Sequence, residues 1–94
     1  MPIRRADVLA RRQQIREIAA RHGAEYPRLF GSVARDEATA VSDIDILVTM
    51  TTRRSPWFPI GLQRDLEELL HVPVQVVTDR TGFARSIEKD AIPL

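Results

Sequence analysis

The sequence predicts an α/β (α+β) domain in which a small mixed β-sheet is flanked by helices. Three observations carry that prediction. Short apolar runs at residues 28–30, 44–50 and 72–77 are bounded by Gly, Pro or polar residues, as strands are. Apolar residues with helical recurrence precede, separate or follow these runs. The resulting order, helix–strand–turn–strand–helix–strand–helix, requires helices packed on a sheet. At 94 residues, one domain over 1–94 is expected, burying about 60–65% of its unfolded surface.

The first helix is expected over residues 6–22. Val8, Ile15, Ile18 and Ala19 recur on one side with Leu9 beside them, Asp7 stands near the start, and Gly23 follows the end. Pro27 then precedes Arg28-Leu29-Phe30, a strand that stops at Gly31. Residues 33–36 suit one helical turn, and residues 39–42 a connecting loop. Residues 44–50 are a strand whose second half reads as buried on both faces.

Residues 51–59 contain two prolines and read as a loop. Arg53, Arg54 and Trp57 there could gate a ligand, touch a partner or be plain surface. Leu62, Leu66, Leu69 and Leu70 define an amphipathic helix. Residues 72–77 make a third strand, with Pro73 at its beginning or its edge. Phe83, Ile87 and Ala91 suggest a closing helix. The strands on either side of Gly31-Ser32 should pair antiparallel, and the third, reached through a helix, should lie parallel to its neighbour. A mixed sheet of three or four strands follows.

Composition excludes several classes. Apolar residues make up 44% and charged residues 29% of the chain, a globular balance rather than a disordered one. With no cysteine, neither a disulfide framework nor a thiolate zinc site can form. His22 and His71 each follow a helix and read as caps. No apolar run approaches a membrane span, and the N-terminus lacks a secretory core, so a cytoplasmic location is expected. The net charge of +1 hides an asymmetry. Residues 1–22 hold six arginines against Asp7 and Glu17. Such a helix can attract RNA or an acidic protein. Because no aromatic residues interleave, a solvated face is the expected reading, with no direct nucleic-acid binding. Self-association is left open.

The stretch GSVARDEATAVSDID carries the chemistry. Asp43 and Asp45 lie two apart at a strand start, so both point to one face, about 6.5–7 Å apart along the strand. Ile44, Ile46 and Val48 point the other way, into a core. Two such carboxylates repel unless a cation sits between them, and Mg²⁺ suits because it accepts a few carboxylates and completes its shell with water and phosphate oxygens. Gly31 permits a sharp turn and close approach of the backbone to a phosphate. Ser32 adds a hydroxyl donor, a following helical turn offers N–H groups, and Arg35 can neutralise phosphate or pin the loop. Alone, Gly-Ser is usually a turn and Asp-x-Asp usually a capping device. The combination is more specific: a strand, Gly-Ser, a short connection, and Asp-x-Asp opening a second apolar strand.

This pattern resembles the signature of the DNA polymerase β-like nucleotidyltransferase superfamily. The longer run LFGSVARDEATAVSDIDILV is similar to that of the minimal nucleotidyltransferases paired with HEPN toxins in prokaryotic toxin–antitoxin modules. The resemblance implies the polymerase β-like fold and binding of a nucleoside triphosphate, with Gly31 and Ser32 at its β- and γ-phosphates. It implies that Asp43 and Asp45 ligate two Mg²⁺ ions, and that AMP from ATP passes to a hydroxyl, in these members a tyrosine of the partner toxin.

Two positions depart from that pattern. Where the superfamily usually carries a third carboxylate, this sequence has Gln75, which can lend an oxygen to a metal but cannot accept a proton. Asp79 follows as an alternative carboxylate past the strand end. Asp36 replaces a common glycine and adds a negative charge near the phosphate loop, which Arg35 is positioned to offset. A binding-only antitoxin that blocks its partner by occlusion is therefore the competing reading.

Overall fold

The computed structural model describes residues 3–39, 41–50, 58–79 and 91–94. In chain order these form α1 (Arg5–Leu9), α2 (Arg12–Arg21), β1 (Ala24–Phe30), α3 (Gly31–Ala34), β2 (Ile44–Met50), α4 (Ile60–Leu70), β3 (Val74–Thr78) and β4 (Ile92–Pro93). The sheet order is β3-β2-β1-β4. As expected, β1 runs antiparallel to β2, and β2 runs parallel to β3.

Strand alternation divides the side chains of β2 between two faces. Ile44, Ile46, Val48 and Met50 join Leu29, Val74 and Val76 in the main core, which Val8, Ile15 and Ala19 close from one side. Leu62, Leu66 and Leu70 close it from α4. Their four-residue spacing keeps all three on the buried stripe, and each fully buried leucine stabilises the fold by about 1.5–3 kcal/mol. On the opposite face Leu47 packs with Phe30 and is fully buried, flanked by Val77 and Ala91. The second half of β2 is thus covered on both faces, which explains its near-continuous apolar run.

The edge strand β3 begins directly after Pro73, and α4 satisfies part of its outer edge. Glu67 Oε2 accepts the Val74 N–H at 3.0 Å, and Gln63 Oε1 accepts the Val76 N–H at 3.0 Å. Both histidines do cap helices: His22 ends α2, and His71 ends α4 in a left-handed conformation. His22 also bonds Asp65 at 2.7 Å, tying α2 to α4.

Four expectations are corrected. The first helix is two helices, broken at Ala10–Arg11. No buried residue lies between Val8 and Ile15 to hold one axis, and Arg5 draws α1 toward the loop that follows α3. Strand β1 starts at Ala24, not Arg28. Pro27 is accommodated at an irregularity between Glu25 and Arg28 beside Tyr26 at φ +51, where a missing N–H costs no ladder bond. The turn after β1 begins at Gly31 rather than residue 33, because the chain reverses there at φ +78. Ala91 precedes the short strand β4 instead of ending a helix. The rest of that expected helix, including Phe83 and Ile87, and the loop residues Arg53, Arg54 and Trp57 lie outside the described residues.

Candidate active site

The sheet register brings the singled-out residues into one row. Asp45 aligns with Phe30 on one side and with Gln75 on the other. Aligned residues share a face, so Gln75, the position that the resemblance marks for a third carboxylate, lies beside Asp45. Gly31 follows Phe30 directly and therefore stands against the Asp45 side chain. A Cβ at Gly31 would overlap Asp45 Oδ2 and lie 3.1 Å from its Cγ. Two constraints thus fall on Gly31, close approach and a left-handed φ of +78, and only glycine meets both without strain.

Asp43 immediately precedes β2 and is exposed. Ile44, between the two aspartates, is fully buried. The segment before Asp43 is locked by a reciprocal turn: Thr39 N–H donates to Ser42 Oγ at 2.8 Å, and Ser42 N–H donates to Thr39 O at 3.1 Å. Asp45 is half-buried, and its pKa is raised, first by burial and then by the Asp43 charge, with Arg35 pulling in the opposite direction. The two carboxylates therefore act on each other, and a cation between them would relieve the repulsion. Ser32 is half-buried, and its carbonyl accepts the Glu37 N–H at 2.8 Å. Arg35 is exposed and bonds Glu37 Oε2 at 3.0 Å.

Asp79 does not join this row. Its N–H donates to Val48 O, and its carboxylate accepts from Thr49 Oγ1 at 2.6 Å and lies 3.7 Å from Arg28 Nη2. That position is three to four residues along β2 from Asp45, about 10–13 Å at strand rise. Asp79 braces the far end of the sheet and is excluded as the replacement carboxylate. Asp36 is offset, but by Arg5 rather than Arg35, at 3.3 Å. The partners are 31 residues apart and no local pattern links them.

Among the described residues no three His, Cys, Asp or Glu side chains converge as a metal-binding group. The row instead offers the carboxylates of Asp43 and Asp45 and the amide oxygen of Gln75. Oxygen donors without nitrogen or sulfur fit Mg²⁺, which binds through one or two carboxylates and takes its remaining ligands from water and phosphate.

The family model described as "Polymerase beta, Nucleotidyltransferase" matches residues 13–93. The chain is 39% identical over 67 residues to "Putative protein adenylyltransferase MJ0435" of Methanocaldococcus jannaschii, covering 71% of this chain and 72% of that one. It is 34% identical over 91 residues to "Putative protein adenylyltransferase MJ0126" of the same organism, covering 84% and 93%. A solved structure titled "Structure of putative minimal nucleotidyltransferase" superposes with a TM-score of 0.85 at 38% identity, over 98% of this chain and 97% of that chain.

Proposed function

This chain belongs to the polymerase beta nucleotidyltransferase family, and from that premise we propose that it moves AMP from ATP onto a hydroxyl of a protein partner. The observation that carries the reading is the contact between Gly31 and Asp45, which joins the Gly-Ser turn to the carboxylate pair. In this reading the absent side chain of Gly31 makes room for the Asp45 carboxylate against the turn, so that a phosphate held by the turn lies near that carboxylate. Ser32 donates its hydroxyl to the triphosphate, and Arg35 adds positive charge on the same side.

Asp43 and Asp45 would hold Mg²⁺, which when bound polarises the α-phosphate and stabilises the departing pyrophosphate. The acceptor oxygen bonds to the α-phosphorus as the bond to the β-phosphate bridging oxygen breaks. Gln75 cannot take the acceptor's proton, so that proton passes to Asp45, to a phosphate oxygen or to water. General-base contributions are typically 10²–10⁴-fold, so slow transfer is expected. Protein acceptors enter through the names borne by the relatives, and a HEPN-type toxin through the sequence resemblance; both are part of the proposal.

The test uses purified chain, Mg²⁺, ATP labelled at the α-phosphate, and a HEPN-type partner encoded beside it. Label should move to the partner with wild-type protein and not with the double variant Asp43→Asn, Asp45→Asn. Absence of transfer in both would defeat the reading. Gln75 beside Asp45 favours one alternative, a binding-only antitoxin acting by occlusion. Protection of cells that survives the same double variant would select it.

A further inference from the structure

Two helices here are too short to stand alone. α1 has five residues and α3 has four, and isolated single turns are unstable in water. Each is capped by the other. The backbone N–H of Arg5 donates to Asp36 Oδ1 at 3.2 Å, taking up a group that the first turn of α1 leaves without an intrahelical partner. In return Arg5 Nη1 donates to the carbonyl of Ala34, the last residue of α3, at 3.2 Å. Its Nη2 lies 3.3 Å from Asp36 Oδ2. Asp36 itself sits at φ +57, a left-handed conformation that its surroundings must hold. Arg35 does not serve this purpose, being engaged with Glu37.

We infer that Arg5 is a positioning residue. It clamps the turn that presents Gly31 and Ser32, and it neutralises Asp36 so that no uncompensated carboxylate stands one turn behind them. The clamp stands on the hydrogen bonds alone; its effect on nucleotide rests on the proposed function above.

Two readouts separate these parts. The first is amide hydrogen exchange at Asp36 and Glu37, whose N–H groups donate to Val33 O at 3.1 Å and Ser32 O at 2.8 Å. Arg5→Ala should speed exchange there by about tenfold, the effect of about 1.4 kcal/mol. Exchange at Ile46 and Val48 should not change, which also reports that the variant is folded. The second is calorimetric binding of Mg-ATP. Arg5→Ala should weaken it by about three- to tenfold, given a half-exposed pair, and Arg5→Lys should recover part through charge without the guanidinium fork.

Asp36→Asn added to Arg5→Ala should restore affinity without restoring slow exchange, which a purely structural role does not predict. Unchanged exchange in Arg5→Ala would overturn the clamp. Unchanged affinity in Arg5→Ala, or no recovery with Asp36→Asn, would overturn the electrostatic part. Wild-type protein that binds no Mg-ATP would overturn the proposed function and Arg5's role toward nucleotide, while the exchange comparison would still decide the clamp.

Discussion

Replacing Gly31 by alanine tests the contact on which the site is built. The new methyl group would be held at φ +78, where an L-residue costs about 1–2 kcal/mol. It would also overlap Asp45 Oδ2, with Cγ at 3.1 Å and Cβ at 3.3 Å. The carboxylate can rotate away, at about 0.5–1.5 kcal/mol for an off-rotamer side chain. The sum, about 2–3 kcal/mol, should lower Tm by roughly 10–20 °C for a domain of this size. In an Asp45→Ala background the carboxylate is gone and only the backbone share remains, about 1–2 kcal/mol. A double-mutant cycle by thermal and urea denaturation, followed by circular dichroism, should therefore give a coupling of about 1 kcal/mol. An equal cost of Gly31→Ala in both backgrounds would refute the claim that this glycine exists to make room for Asp45.

Gln75→Asp adds a carboxylate beside Asp45, and label transfer should accelerate by about ten- to a hundredfold, within the usual reach of a general base; an unchanged rate would mean that the position is not the missing base. Asp45 carries a raised pKa, so its proton is held more tightly in the folded state. The resulting stability is fully present below the unfolded value of about 3.9 and is lost as pH rises through the folded value. Without Mg²⁺, Asp45→Asn should then melt above wild type at neutral pH, with the difference shrinking as pH falls through the carboxylate range; a constant difference would contradict the assignment. Asp79→Ala removes the acceptor of Thr49 Oγ1 and the carboxylate near Arg28. Stability should fall by about 1–3 kcal/mol with Mg-ATP affinity unchanged, and a selective loss of affinity would return Asp79 to the site.

The sheet and the shared face of the two aspartates were legible from period-two alternation, and the rest of the site row from the Gly-Ser and Asp-x-Asp motif and the resemblance it carries. Once residues 44–50 were read as a strand, Asp45 had to face away from Ile44 and Ile46. Gln75 was marked by the resemblance, as the position of the superfamily's third carboxylate, and the parallel register of β2 and β3 sets it beside Asp45. The helix of leucines was legible from recurrence at period four. What was not legible depended on contacts between distant residues. The pairing of Arg5 with Asp36, which ties α1 to the loop after α3, joins residues 31 apart, and composition alone describes Arg5 only as one more charge on a basic helix. The early start of β1 depended on an irregularity that absorbs Pro27, and a proline in sequence reads first as a boundary. Asp79 looked available because distance along a strand is visible in a sequence, but the Thr49 hydroxyl that engages it across the sheet is not.

Calorimetric titration of Mg-ATP reaches the central claim with the fewest intermediaries, because it needs no acceptor. Wild-type protein should bind saturably in Mg²⁺, lose that binding in chelator, and lose it again when Asp43 and Asp45 are both changed to asparagine. Equal heats from wild type and the double variant, or binding indifferent to Mg²⁺, would contradict it.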